Sequence, residues 1–487
     1  MEQKKTKAFV IIIAVIAATG GLLFGYDSGV ISGALLYIKS DPVFLANGQE
    51  VMPDRIQEWI VSIVLVGALI GAISSGRLSD MYGRRKILII IALINAIGTL
   101  LSALAFNVTI MLIARGLVGF AIGVASYAVP LYISEMSPTR VRGALVSLNQ
   151  LAITVGILLA YLVNIEFSDL PAGWSAWGMG EGWRWMLMIG FFPALILGIG
   201  MIFLPETPRW LMSANREHNA LSVLRKIGEI NPSKVVDEIK ESLSKEEKVG
   251  LRELRAKWVR PILIIGIGTA ILMQITGINT VVYYSPTVLQ MAGFVSEADA
   301  ISAALPIPII MVVFTVAALF LVDKWGRKPL LYLGLTGMAI SLFVLGISFL
   351  FHQSLGDTLM GFALGSMMVY IPFFALTLGP VGYLIMSEVF PTRIRGLGMS
   401  LALFCNWVAN FVVANTFLSL ASALTAEGNQ ITIMGEAGPN PGGSFLIYGI
   451  FAVLGIIFVY RMVPETKGHS LEEIEQHFQK GKPPREL

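Results

Sequence analysis

Asp27 stands in the stretch Gly20–Leu35, GGLLFGYDSGVISGAL, within an apolar run that begins at Phe9. At about 1.5 Å per residue that run is long enough to cross a ~30 Å hydrocarbon layer. A carboxylate at that depth costs roughly 2.5–3.5 kcal/mol even on lenient insertion scales, so it requires a partner, a water path or a proton. Arg115, near the start of the apolar run ARGLVGFAIGVASYAVPLY, is the obvious partner. Attraction favours the charged pair and desolvation favours the neutral acid, so water or ligand access can couple a proton to a shape change. Two readings stand side by side: a structural helix whose acid is satisfied by a neighbour, and a gating helix with a titratable switch. His218, His352, His469 and His477 all lie outside apolar runs or at their ends. If protons move, Asp27 carries them by elimination.

A second group of polar side chains suits a different task. One apolar run contains Gln274 and Asn279, followed by Tyr283 and Tyr284; another contains Gln150, and a third Asn406 and Trp407. Amides supply paired donors and acceptors, and an aromatic face supplies a flat wall for C–H groups, which is what a neutral polyhydroxy ligand requires. A single amide could equally be interhelical glue, at ~0.6 kcal/mol on average. Gly277 and Pro286 predict an interrupted helix, Gly379-Pro380-Val381-Gly382-Tyr383 predicts another, and Pro130 marks a third run. Interruptions are tolerated at membrane depth where backbone lines a cavity. No metal-ligand cluster, nucleophile–histidine pair or phosphate-cradling loop accompanies these residues. The expectation is therefore no enzyme, no metal and no cofactor.

The elements that position these groups follow from composition. With 55% hydrophobic and 14% charged residues among 487, and a mean hydropathy of +0.74, most of the chain cannot be a soluble globule. The formal charge of +3 and the scattered basic residues give no support for nucleic acid, and the single Cys405 excludes an intramolecular disulfide. Twelve apolar segments are expected, near 9–35, 57–76, 87–106, 109–133, 143–165, 184–204, 261–290, 299–322, 329–351, 358–387, 396–423 and 443–462. Of the 35 Lys and Arg, all but Lys39, Arg55, Arg115 and Arg184 fall on one side of these segments. That bias predicts a multi-pass protein with both termini in the cytoplasm, and the expected location is the plasma (inner) membrane. Gly21, Gly25, Gly29 and Gly33 recur every fourth residue, lining one smooth helix face for close contact.

The chain is also two copies of one design. Asp80-Met81-Tyr82-Gly83-Arg84-Arg85 returns as Asp323-Lys324-Trp325-Gly326-Arg327-Lys328. Glu135–Gly143 returns as Glu388–Gly396, and Pro205-Glu206-Thr207 as Pro464-Glu465-Thr466, at offsets of 243, 253 and 259 residues. Parallel repeats with a midplane site between them are an alternating-access architecture. The expected layout is a six-helix bundle over 1–204, a charged helical linker over 205–260, a second bundle over 261–463 and a tail over 464–487. Short helices are predicted at Glu217–Ile227, Val235–Glu246, Leu251–Lys257 and Leu471–Phe478. The linker is expected to be a solvated connector, or else a latch bridging the cytoplasmic ends of the halves. Arg84, Arg85 and Arg142 are expected to pair with Glu135 and Glu206, and Arg327 and Arg395 with Glu388 and Glu465, forming a gate that closes as the halves approach. Arg209 belongs to the same motif set.

Over essentially its whole length the chain resembles the sugar porter family of the major facilitator superfamily. The residues that carry the resemblance are GRLSDMYGRRK at 76–86, RGLVGFAIGV at 115–124, PETPRWL at 205–211, QITGINTVVYYSP at 274–286, DKWGRK at 323–328 and PETKG at 464–468. The resemblance implies an all-α, twelve-helix carrier with small-molecule sugar, protons and the lipid bilayer as its partners and no obligate protein partner. By similarity the sugar contacts are Phe24, Gln150, Gln274, Asn279, Tyr283, Asn406 and Trp407. Proton-coupled members pair an Asp at the position of Asp27 with an Arg at that of Arg115, so the resemblance favours proton-coupled symport of a pentose, hexose or polyol. A facilitative uniporter with a structural Asp27 and a non-transporting sugar sensor are the rivals. Departures occur at Ile157, Met273, Met311 and Tyr383, where the family commonly has Gln, Gln, Asn and Trp. The amides lost at Met273 and Met311 leave the C-terminal side of the pocket more apolar, and the Tyr383 hydroxyl can restore one contact.

Overall fold

A computed structural model describes residues 2–46, 49–138, 141–168, 181–244, 253–391, 393–433 and 436–487. Twelve helices among these are long and apolar enough to cross a membrane: Ala8–Ile38, Asp54–Tyr82, Arg84–Ala103, Val108–Met136, Arg142–Ser168, Gly182–Phe203, Val259–Met291, Glu297–Val322, Arg327–Leu350, Thr358–Val389, Arg395–Ala414 and Gly442–Met462. These are numbered one to twelve in chain order. Each falls where the apolar runs predict it. Large apolar side chains that would be misplaced on a soluble protein, such as Ile73, Leu93, Phe203 and Phe320, face outward on these helices. A hydrocarbon surround removes that misplacement.

Several interruptions differ from expectation. Pro130 and Pro286 sit inside continuous helices, whereas Gly277 breaks the seventh span into Val259–Ile275 and Ile278–Met291. Gly277 has φ +86°, a left-handed conformation, and a Cβ there would lie 2.7 Å from the Tyr448 ring. The carbonyl freed at Thr276 accepts from Tyr370 Oη at 2.9 Å, so the break is satisfied by a neighbouring helix. In the tenth span a π-helical turn at Phe374–Leu378 precedes Gly379–Val389. Such turns are a common local adjustment at working sites. The eleventh span stops at Ala414 and a separate short helix follows at Phe417–Leu424, where one run to 423 was expected. Two short antiparallel strands, Ile431–Ile433 and Glu436–Gly438, are elements the apolar pattern did not announce.

The chain forms two compact units. Unit 1 comprises Met1–Val30, Ile63–Val163 and Ala172–Lys248. Its core gathers Ala14, Leu88, Val124, Tyr132 and Leu197 from the spans with Leu211, Val223, Leu224 and Val236 from the linker. The linker helices are Pro208–Ser213, Glu217–Lys226 and Pro232–Ser244. They bury an apolar face in this core, so they are not a merely solvated connector. The last two residues of the expected Val235–Glu246 helix and the first two of Leu251–Lys257 lie outside the described residues; Glu253–Arg255 forms a single 3₁₀ turn. Unit 2 comprises Ile31–Ser62, Asn164–Pro171 and Val249–Leu487. The tail helix Leu471–Gln479 opens with a Ser470–Glu473 capping box, close to its predicted place.

The glycine face of the first span packs on the fifth. A Cβ at Gly25 would lie 1.8 Å from Ile153 O, and one at Gly21 2.5 Å from Asn149 Oδ1. A Cβ at Gly29 would meet Ile157 O and Ala160 at 2.8 Å, and one at Gly33 Asn164 Nδ2 at 2.5 Å. Only a helix face without side chains permits this backbone approach, and it fixes the rotation of the first span and hence the direction of Asp27.

Candidate functional site: a buried ion pair, an amide ladder and capped helix ends

In unit 1 the fourth span delivers Arg115 to Asp27. Arg115 Nη1 donates to Asp27 Oδ1 at 3.3 Å and Nη2 to Oδ2 at 3.4 Å, a two-pronged contact. Arg115 is 1% exposed. The planar guanidinium matches both carboxylate oxygens, a geometry lysine cannot reproduce. The pair borders a cavity of about 10 Å³ that is also lined by Tyr26, Asn95, Thr99 and Ser102. Roughly one water fits such a space when polar partners surround it. The third-span residues were missed in the sequence reading, although their spacing of four and three places them on one helix face. Phe24 and Gln150 belong to this unit, Gln150 exposed and Phe24 partly buried. Ile157, where an amide is common, is buried and its backbone contacts Gly29.

Unit 2 holds the other proposed contacts, and three are joined. Asn279 Nδ2 donates to Gln274 Oε1 at 2.7 Å. Gln274 Nε2 donates to Asn406 Oδ1 at 3.2 Å, and Asn406 Nδ2 to Ala270 O at 2.8 Å. The break at Gly277 makes this possible, because it separates Gln274 and Asn279 onto two helix segments whose side chains can meet. Each amide orients the next, so their outward donor and acceptor groups are set before any ligand arrives. Tyr283 and Trp407 are buried nearby in the chain, and Tyr383 is exposed. Met273 does not line an open pocket: its Sδ would lie 2.5 Å from a Cβ at Gly382, so the thioether fills the contact between the seventh and tenth spans. Met311 is buried as well.

The repeated loop motifs build the same device twice. Gly83 and Gly326 have φ +91° and +89° and precede the third and ninth spans. Glu206 accepts from the backbone N–H of Arg85 with both oxygens at 3.1 Å, and from Thr207 N at 2.9 Å. Glu465 accepts from Arg327 N at 3.0 Å and Lys328 N at 2.9 Å. Each glutamate caps a helix start, where unpaired N–H groups and the helix dipole favour a negative charge. Any side chain at these glycines would strike the carboxylate, 2.4 Å from Glu206 Oε2 and 2.9 Å from Glu465 Oε2. Arg84 Nε approaches Glu135 Oε2 at 3.3 Å, and Arg327 Nη2 donates to Glu388 Oε1 at 2.8 Å.

Arg84–Glu135 and Arg327–Glu388 are among the expected pairs, whereas Arg85 takes another partner. The Arg85 side chain donates to the carbonyl of Met201 at 3.0 Å rather than to Glu206. Arg142 Nη2 reaches Ser137 O at 3.5 Å, and Arg395 Nε donates to Phe390 O at 3.1 Å. A helix C-terminus offers orphan carbonyls to a nearby cation, which is why these arginines turn back on their own loops. Arg209 lies on Pro208–Ser213, partly buried. The flanking positions Thr139, Arg140 and Thr392 of the repeated loops lie outside the described residues.

Unit 2 also contains a buried acid that the sequence reading did not single out. Glu58 is fully buried, accepts from Ser419 N at 2.7 Å, and lies 3.3 Å from Arg55 Nη1. Lys39 Nζ donates to Gln290 Oε1 at 2.8 Å. Burial lowers the Lys39 pKa below the ordinary lysine range, against the opposing pull of Glu297 and Asp54.

Comparison with known proteins agrees with this construction. A family profile described as "Sugar (and other) transporter" matches residues 13–478. A D-xylose transporter of Levilactobacillus brevis is 41% identical, over 94% of this chain and 93% of that one. A galactose-proton symporter of Escherichia coli (strain K12) is 36% identical, over 100% of this chain and 98% of that one. The inward open conformation of the xylose transporter XylE from E. coli superimposes with a TM-score of 0.78 at 35% identity, covering 96% of this chain and 99% of that one. With twelve apolar helices, a repeated pair of capped helix starts and a profile match along nearly all its length, the chain belongs to the sugar porter family of the major facilitator superfamily.

Proposed function

We propose that this protein is a proton-coupled monosaccharide symporter working by alternating access, in the plasma (inner) membrane with both termini in the cytoplasm. The observation that carries the coupling is the buried, two-pronged Asp27–Arg115 pair beside a polar cavity. Relatives named as a D-xylose transporter and a galactose-proton symporter support the substrate class. The charge bias of the loops supports the orientation.

Protonation of Asp27 neutralises the acid and releases Arg115 from its partner. The sugar is read by the amides of Gln274, Asn279 and Asn406, with Tyr283, Tyr383 and Trp407 as aromatic walls and hydroxyl donors, and with Phe24 and Gln150 as further contacts. The Glu206 and Glu465 caps, with Arg84–Glu135 and Arg327–Glu388, keep the cytoplasmic helix ends of each unit rigid. Arg85, Arg142, Arg209 and Arg395 tie the adjoining loops. A negative-inside potential drives the inward proton at ~2.3 kcal/mol per charge per 100 mV.

The test is Asp27→Asn in proteoliposomes, with D-xylose, D-galactose and myo-inositol as probes. Sugar counterflow should persist while concentrative uptake disappears. Full accumulation by the variant, or no sugar-triggered proton uptake by the parent protein, would end the reading.

A further inference from the structure

The third span carries three polar residues that the sugar and ion-pair chemistry leave unused. Asn95, Thr99 and Ser102 are 3%, 8% and 2% exposed. At 1.5 Å per residue they climb about 10 Å along one face. The lowest borders the cavity that holds Asp27 and Arg115, and so do the other two. The highest lies one residue before the helix ends at Ala103. That end is fixed by Arg184, whose Nη1 donates to Ala103 O at 3.0 Å and Ala105 O at 2.9 Å. Glu181, 43% exposed, stands 4.0 Å from Arg184 Nε and so marks the solvent side of the same end.

Buried Ser, Thr and Asn in a membrane helix are commonly glue to a neighbouring helix. The bonds here run the other way. Thr99 Oγ1 donates to Asn95 Oδ1 at 3.4 Å, and Ser102 Oγ donates to Gly98 O at 2.8 Å, all within one helix. Hydroxyls bonded back to their own helix retain lone pairs that can accept from a water in the cavity. The groups around Asp27 are otherwise few. Arg115 faces it from the fourth span and Tyr26 from its own, with the Tyr26 hydroxyl donating to Met186 O at 2.6 Å. The sixth span contributes Leu187 and Gly190 to the cavity. The fifth packs Asn149, Ile153 and Gly156 against the first. Among the described residues, those of the third and sixth spans that line this cavity include no ionisable side chain, and the stripe on the third is the polar route outward.

We propose that Asn95, Thr99 and Ser102 form the track by which a proton from the outer solution reaches the Asp27 carboxylate, through water held against them. At each step a water oxygen or the hydroxyl of Thr99 or Ser102 accepts one proton and releases another, while the Asn95 amide only orients the water, so the relay is unchanged at the end. The net result is a neutral Asp27 acid, an Arg115 that keeps its own proton, and one positive charge moved inward. The inference rests on the symport reading and adds residues to it. It assigns the third span to proton delivery and not to sugar.

The experiment uses the full-length protein in proteoliposomes and whichever of D-xylose, D-galactose and myo-inositol the parent accumulates. Asn95→Leu combined with Thr99→Val removes the amide that orients the water and the hydroxyl that relays the proton, at nearly constant volume. Counterflow, which needs no net proton transfer, reports folding and sugar exchange. We expect counterflow within about twofold of the parent and sugar-triggered proton uptake slowed at least about tenfold, most severely at high external pH. Asn95→Gln with Thr99→Ser, which keeps both polar groups, should restore the rate. Parent-like proton uptake in the Leu/Val variant overturns the track. So does an equal loss of counterflow and proton uptake that the Gln/Ser variant does not reverse, since that marks a packing role alone. A parent protein with no sugar-triggered proton uptake refutes the symport reading itself, and is told apart because the failure precedes any substitution.

Discussion

Replacing Gln274 tests whether the amides of unit 2 act as one device. Its side chain bridges Asn279 at 2.7 Å and Asn406 at 3.2 Å, and Asn406 in turn holds Ala270 O. Gln274→Leu removes two hydrogen bonds, each contributing about 0.5–1.5 kcal/mol net, and strands the buried Asn406 oxygen at a further ~1–3 kcal/mol. Part of that is recovered by water, because Asn279 is only half-buried. A loss of roughly 1.5–3 kcal/mol in sugar affinity remains, an increase in Kd of about 10- to 150-fold. Asn406→Leu should fall in the same range, since it breaks the same chain from the other end. The double variant should cost much less than the sum of the two, with a coupling of at least about 1 kcal/mol. Equilibrium binding of labelled D-xylose or D-galactose to purified single and double variants measures this directly. Costs that add to within about 0.5 kcal/mol would refute the ladder. The three amides would then be independent contacts that happen to touch.

Three further outcomes follow from the same geometry. Glu206→Gln and Glu465→Gln should each destabilise the purified protein by about 0.5–2 kcal/mol, by similar amounts in the two repeats, because each removes a negative charge from a helix start; thermal unfolding in detergent reads both. Gly25→Val should abolish folded yield on size-exclusion chromatography, since its Cβ has only 1.8 Å to Ile153 O, whereas Gly361→Ala, with open space around it, should be neutral. Lys39 has a folded pKa below its unfolded value, so the unfolded chain binds more protons between the two and stability rises with pH there. Lys39→Met should flatten the stability profile between that lowered value and about pH 10.4, read as thermal midpoint against pH.

What the sequence determined was periodicity, repetition and chemical type. Twelve apolar runs are legible because hydrocarbon imposes a length and forbids unpaired backbone, so each span must announce itself locally. The repeat is legible because three motifs return in order, and the Asp27–Arg115 pairing because charge at membrane depth has few ways to be satisfied. Direction and rotation of side chains were another matter, since they depend on neighbours hundreds of residues away. Gly277 broke its helix and Pro286 did not, because Tyr370 was in place to satisfy the carbonyl of Thr276. Arg85 and Arg142 were expected to seek carboxylates, yet helix ends supplied nearer carbonyls, leaving Glu206 to the backbone N–H groups of the third span. Met273 looked like a missing amide until packing showed it filling the gap over Gly382. Asn95, Thr99 and Ser102 carried a spacing signal that residue type alone did not separate from ordinary helix polarity. Tertiary structure decided their meaning by bringing the first and fourth spans to the same cavity.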